Sequence, residues 1–207
     1  MTNRLDEHEL DVLIIGCIKN ERAGQQALYK YCFGFGMGIC LRYSPDRSSA
    51  LGVLNAGFLK VFVNIDKYKN HIPFKAWFGR IMINTAIDHY RSGLKFAHNQ
   101  ELSDEHDAGE MPVIDSKLNY QDLLLLVQTL PPAYRTVFNL FAIDGYTHPE
   151  IASMINISVG TSKSNLFKAR KKLQELIVGD VKPSSFLEKS DDNIALSGET
   201  LLKGEGK

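Results

Sequence analysis

The stretch GYTHPEIASMINISVGTSKSNLFKARKKLQELI, residues 145–177, decides how this chain is read. Thr147 and Glu150 stand at capping-box spacing, in which hydroxyl and carboxylate each take an amide left unpaired at a helix start. A short helix therefore begins near His148, with Ile151, Met154 and Ile155 as its apolar face. Asn156 follows where the backbone must turn left-handed, a conformation Asn tolerates, and Ser158 is placed to cap a second helix. There Leu166, Ala169, Leu173, Leu176 and Ile177 share one stripe, while Ser164, Lys168 and Lys171 lie opposite. Residues 159–174 hold five cations (Lys163, Lys168, Arg170, Lys171, Lys172) and no acid. A solvated surface helix mixes signs, so this one-sided face predicts a helix-turn-helix whose second helix enters the DNA major groove.

Charge elsewhere is sorted in the same way, although 24 basic and 24 acidic residues cancel over the whole chain. Residues 60–99 carry seven cations against Asp66 and Asp88, whereas residues 100–122 carry seven acids against Lys117. Two basic blocks thus flank an acidic connector, which phosphates repel while both blocks approach them.

The helical period governs nearly everything outside that connector, so the fold class is all-α. Apolar residues recur at three and four over 10–18, 25–43, 49–65 and 74–96, with Ser44-Pro45-Asp46 and Ile72-Pro73 as breaks. Four helices make a first module, residues 1–97. A flexible acidic linker follows over 98–118, and a second module over 119–178. There Tyr120, Leu123, Leu124 and Val127 form one stripe, and Tyr134, Val137, Phe138 and Phe141 form another after Pro131-Pro132. A polar tail occupies 179–207. Gly34, Gly36, Gly38, Gly52 and Gly57 interrupt the first module's helices, each at about 1 kcal/mol relative to alanine, so those helices bend or approach one another closely. The run FGFGMG is no nucleotide loop, because Ile39 stands at the third glycine position and no strand precedes it.

Several function classes drop out. Cys17, Cys32 and Cys40 are odd in number, lack CxxC spacing and sit among apolar residues, which predicts reduced core thiols in a cytoplasmic protein with no metal site. The mixed-charge start MTNRLDEHELD and the absence of a bilayer-length apolar run predict neither a signal peptide nor membrane insertion. No nucleophile-base pair or paired carboxylates sit convincingly on the helices, so neither catalysis nor a cofactor is expected.

Both modules resemble one family, the bacterial sigma factors of extracytoplasmic-function type, the smallest sigma-70 relatives, and in particular forms common in Bacteroidetes. The first module is similar to their region 2 through CIKN (17–20), ALY (27–29), ICLRY (39–43), GFLKVFVNIDKYK (57–69) and FKAWFGRIMINTAIDHYR (74–91). The second is similar to region 4 through LPPAYRTVFNLFAIDGYTHPEIASMI (130–155) and GTSKSNLFKARKKL (160–173).

The resemblance implies a transcription initiation factor that brings core RNA polymerase to promoter DNA, recognised as duplex and melted, with an anti-sigma protein as a further partner. It implies that Thr161, Ser164, Asn165, Lys168 and Lys171 meet bases or phosphates of the minus 35 element, with Lys163, Arg170 and Lys172 on phosphates. The minus 10 element falls to Lys67, Tyr68, Lys69, Asn70, His71, Lys75, Arg80, Asn84, Asp88 and Arg91, a mixture of cations and stacking surfaces suited to single strands. Asp88 and Arg91, three apart, are equally placed to form an intrahelical ion pair. Polymerase docking falls to Leu51, Gly52, Asn55, Ala56 and Leu59, and here the chain departs from the family. Two acids and a glutamate that dock on the clamp helices of the polymerase are replaced by Leu51, Gly52 and Ala56. Lost charge weakens association, so the alternative is a divergent paralogue acting as a DNA-binding regulator or a decoy for anti-sigma protein.

Overall fold

The computed structural model describes residues 7–99 and 119–178, all of whose regular elements are helical. The body of the acidic linker and the polar tail lie outside the described residues. Helix α1, Glu7–Ile18, ends where Asn20 takes a left-handed backbone (φ 59°). Helix α2, Arg22–Tyr43, stops at Ser44, which is extended (φ −100°, ψ 150°) because Pro45 follows it. Asp46 then accepts a hydrogen bond from the Ser49 amide at 2.8 Å and starts α3, Arg47–Asn64. A 3-10 turn, Ile65–Lys67, and a loop through Pro73 lead to α4, Phe74–Asn99, which runs three residues past its expected end.

Helices α2, α3 and α4 bury Leu28, Cys32 and Cys40 against Leu54, Phe58 and Val61, and these against Phe78, Met82 and Ala86. Two of the five glycines explain how closely they pack. A Cβ on Gly36 would lie 2.7 Å from Leu54 Cδ1 and 3.1 Å from the Phe78 ring, and one on Gly57 would lie 2.5 Å from Met82 Sδ. Around Gly34 and Gly52 nothing lies within 4 Å, so close approach accounts for Gly36 and Gly57 alone. Residues Arg47–Lys67 are long and apolar enough to cross a membrane, which the sequence reading missed; Val53, Leu54, Phe58 and Val61 of this segment are core. The three cysteines are free and buried, and burial pushes Cys17 up to about 11 and Cys32 and Cys40 up to about 12.

The second module opens with α5, Tyr120–Thr129, whose capping box of Asn119 and Asp122 went unread in the sequence. Its buried stripe is Leu126, Val127 and Leu130, while Tyr120 and Leu123 are exposed, which corrects the expected face. The proline pair does start α6, Pro132–Phe138, which passes into a π-helical turn, Asn139–Ile143. Val137 and Leu140 are fully buried, and the polar Arg135, Thr136 and Asn139 are buried beside them. Helices α7, His148–Ile155, and α8, Val159–Val178, complete the module. It packs on the first module, with α5 and α6 touching α2 and α7 touching α4.

Candidate nucleic-acid interface

The helix-turn-helix is held by the local bonds its sequence announces. Thr147 donates from its amide (2.8 Å) and its hydroxyl (2.7 Å) to the Glu150 carboxylate, and those bonds hold Glu150 below its ordinary pKa. Asn156 is left-handed (φ 56°, ψ 53°), and Ser158 Oγ accepts from the Thr161 amide at 2.9 Å. His148 sets the angle between the helices: its ring stacks on Phe141 at 4.5 Å, and its Nδ1 meets the buried Ser162 hydroxyl at 2.9 Å.

Leu166, Ala169, Leu173 and Leu176 anchor the inner face of α8, but Ile177, about 100° round the helix from Leu176, is exposed, which corrects the expected stripe. On the outer face Thr161, Lys163, Ser164, Lys168, Arg170 and Lys171 are exposed, and Asn165 and Lys172 are half-buried. Lys168 stands 5.8 Å over the Tyr134 ring and Arg170 5.7 Å over Phe141. Lys171 lies 3.8 Å from Glu175, an exposed pair of little energetic weight. Among these cations Phe167 is 70% exposed. The sequence reading passed over it; its signal was an aromatic one residue beyond the buried Leu166, turned out of the core stripe by about 100°.

In the first module Arg80, Asn84 and Arg91 line an exposed stripe of α4, while Phe74 and Phe78 are buried and Trp77 and Ile81 half-buried on the other side. Asp88 pairs with Lys60 of α3 at 2.8 Å, so the expected intrahelical pair with Arg91 does not form. Lys67, Lys69, Asn70, His71 and Lys75 are exposed. Tyr68 is half-buried: its hydroxyl donates to the Ile72 carbonyl at 2.8 Å and its ring leans on Phe74 and Trp77. It is anchored where its loop neighbours face solvent.

The outer face of α3 carries Leu51, Gly52, Asn55, Ala56 and Leu59, all exposed, and Val63 beside them. Leu59 and Val63 are each 66% exposed, so the face is apolar. Its Asn55 Oδ1 accepts from the Tyr29 hydroxyl at 3.0 Å.

These features define a helical DNA-binding protein in two parts, a four-helix module with a basic exposed stripe and a helix-turn-helix. Residues 28–95 match sigma-70 region 2 and residues 120–173 match sigma-70, region 4. The sigma-E factor of Haemophilus influenzae is 24% identical over 153 residues, covering 68% of this chain and 80% of that one. SigW of Bacillus subtilis is 28% identical over 155 residues, covering 66% and 80%. Among solved structures, the sigma factor RpoE of Bartonella quintana, in complex with the anti-sigma factor NepR, is 19% identical with a TM-score of 0.48, covering 75% of this chain and 97% of that one. The chain belongs to the sigma-70 family as a sigma factor of the extracytoplasmic-function type, a class that directs transcription initiation.

Proposed function

We propose that α8 reads the minus 35 element, that residues 67–71 and the exposed stripe of α4 capture the minus 10 element as it opens, and that the outer face of α3 docks on core RNA polymerase. The observation that carries this reading is the separation of faces on α8, four exposed cations and two hydroxyls outward and an aliphatic stripe inward. Phe167 adds an apolar surface of the kind that meets a thymine methyl. Cations on both flanks of the helix suit phosphates on both rims of a groove. The Arg80, Asn84 and Arg91 stripe offers charge and hydrogen bonds beside a loop of exposed cations, which suits an unpaired strand. The chain itself is not an enzyme, since bond formation belongs to the polymerase. It works in the cytoplasm, and an anti-sigma protein is its regulatory partner.

The outer face of α3 favours a second reading. Between Leu51 and Val63 it presents no acid, so docking on a basic partner gains little from charge. A chain with weak core binding acts as a DNA-binding regulator or anti-sigma decoy. Run-off transcription with purified core polymerase, beside a core-binding titration, separates the two: promoter-dependent product establishes the initiation role, and duplex binding without core binding establishes the regulator. Asn84→Ala reduces open-complex formation more than duplex binding, read by permanganate footprinting beside gel shift. Equal loss in both removes Asn84 from strand capture.

A further inference from the structure

An unpaired strand is held by flat surfaces as well as by charge, because each base that leaves the duplex loses its stacking partners. Tyr68 and Trp77, the rings nearest in sequence to the Arg80, Asn84 and Arg91 stripe, are engaged with each other. Their centroids lie 5.4 Å apart, both pack on Phe74, and the Tyr68 hydroxyl is bonded to the Ile72 carbonyl. Among the described residues of the first module, the one phenylalanine, tyrosine or tryptophan that is exposed is Phe35, at 43%.

Phe35 stands on α2 where that helix faces the first turns of α4. Its ring lies 6.1 Å from the ring of the fully buried Phe78, and its tip comes within 3.7 Å of the point a Cβ on Gly79 would occupy, which sets it beside Arg80. The Lys75 ammonium is 6.0 Å from the centre of the Phe35 ring and 6.0 Å from that of Tyr31, one turn earlier. Neither Lys75 nor Arg80 forms an ion pair among the described residues, so both charges are open to a phosphate. Packing accounts for Gly36 in the run FGFGMG. At Gly34 a Cβ would meet nothing within 4 Å, and that glycine adds no side chain that could cover the neighbouring ring.

Phe35, Lys75 and Arg80 line one side of a cavity of about 630 Å³, within the range of about 300–1,000 Å³ that suits small ligands. The other side belongs to the second module, which joins the first along a polar seam. Gln128 Nε2 donates to the Leu41 carbonyl at 3.0 Å, and Asn139 Nδ2 donates to the Arg42 carbonyl at 2.6 Å. Asp144 receives the Arg42 guanidinium at 2.7 Å and also the Tyr43 hydroxyl, so its charge is offset within the seam. Glu150 is the other carboxylate on that wall, and it turns a phosphate toward Lys75 and Arg80.

We propose that Phe35 is a stacking platform for one unpaired base of the opened strand, with Lys75 beside it as a phosphate contact. The platform rests on the reading of the α4 stripe as a strand contact, and it adds a ring from a different helix at the Arg80 end of that stripe. From Lys75 to Arg91 α4 rises about 24 Å, so a strand laid along the stripe reaches Phe35 after passing Arg80. A phenyl ring offers no hydrogen bond to a base edge. It therefore selects by stacking strength, purine over pyrimidine.

The test uses the full chain and two labelled single strands of equal length, an oligodeoxyadenylate and an abasic oligomer, with affinity read by fluorescence anisotropy. Phe35→Ala should weaken oligodeoxyadenylate binding about tenfold, the usual loss for one base without its ring, and leave the salt slope and the abasic affinity unchanged. Phe35→Trp should restore the natural affinity or better, which a variant damaged only in packing would not do. Lys75→Gln should reduce the steepness of the log-log salt dependence by about 0.7 on both strands, one phosphate contact on single-stranded DNA. Natural affinity in Phe35→Ala, or an equal loss on the abasic strand, overturns the platform. If Arg80→Ala still weakens binding in that case, the strand contact of α4 stands without it. Failure of the natural chain to bind either strand, or no effect of Arg80→Ala together with none of Phe35→Ala, overturns both. An unchanged slope in Lys75→Gln removes Lys75 from the platform and leaves the ring.

Discussion

Removing two cations from the outer face of α8 tests the nucleic-acid interface most directly, because the structure says what each has to give up. Among the described residues Lys171 has only Glu175 at 3.8 Å, with both side chains about two-thirds exposed, and Lys168 has only the Tyr134 ring at 5.8 Å. Contacts of that kind are worth at most about 1 kcal/mol, so neither holds its lysine back from a phosphate. Five phosphate contacts from this helix would give a log-log salt slope near −4.5, at about 0.9 per contact. Lys168→Ala with Lys171→Ala should bring the slope to about −2.7. Over a fourfold rise in salt each contact accounts for roughly 3.5-fold in affinity, so the variant should lose about 12-fold less than the natural chain. Fluorescence anisotropy on a labelled duplex, titrated at several salt concentrations, reads this directly. The paired control is Lys19→Ala with Lys30→Ala, exposed lysines of the first module that carry the same total charge. An unchanged slope in the α8 variant, or an equal change in the control, would refute the assignment of this face to DNA.

Gly34→Ala meets open space and should stabilise by about 1 kcal/mol, raising Tm by roughly 2–4 °C. Gly36→Ala, two residues on, drives a methyl to 2.7 Å from Leu54 and against the Phe78 ring, and overpacking of about 1–3 kcal/mol turns the same helix gain into a lower Tm. Gly52→Asp with Ala56→Glu should tighten core polymerase binding in a titration at moderate salt, and unaltered affinity would mean that docking on α3 uses its apolar surface alone. Asp46→Ala removes the α3 cap and should cost about 1 kcal/mol in denaturant unfolding. Because the Ser49 bonds lower the Asp46 pKa from its ordinary 3.8, that difference is present in full above 3.8 and fades as the pH falls through the lowered folded value.

What the sequence made legible is what it encodes locally. The Thr147–Glu150 box, the left-handed Asn156, the Ser158 cap and the break at Ser44-Pro45-Asp46 each depend on residues within four positions, and each forms. Period-based burial fared less evenly, because a stripe is buried only where another element arrives to cover it. Ile177, one residue beyond the buried Leu176, is turned about 100° away from it and stays exposed, and on α5 it is Leu126, with Leu130 after it, that packs with Ala169, Leu173 and Leu176 of α8. The apolar outer face of α3 shows the converse, since Leu59 and Val63 look like core by composition and are among the most exposed apolar side chains.

The seam between the modules escaped the sequence for a sharper reason. It is written in residue types that periodicity assigns to solvent: Arg42, Arg135, Asn139 and Asp144 read as surface, and the Arg42–Asp144 pair spans 102 positions. Nothing local distinguishes a half-buried Arg-Asp contact at that separation from two solvated charges. The same chemistry accounts for both its invisibility and its use. Apolar packing crosses the seam too, since Val137, Leu140, Ile151 and Ile155 lie in one buried cluster with Leu28, Ile39 and Phe78. Its charges and amides are the part that each module can return to water on its own. That is what a protein needs if its two DNA-reading faces are to travel together and then engage separate promoter elements.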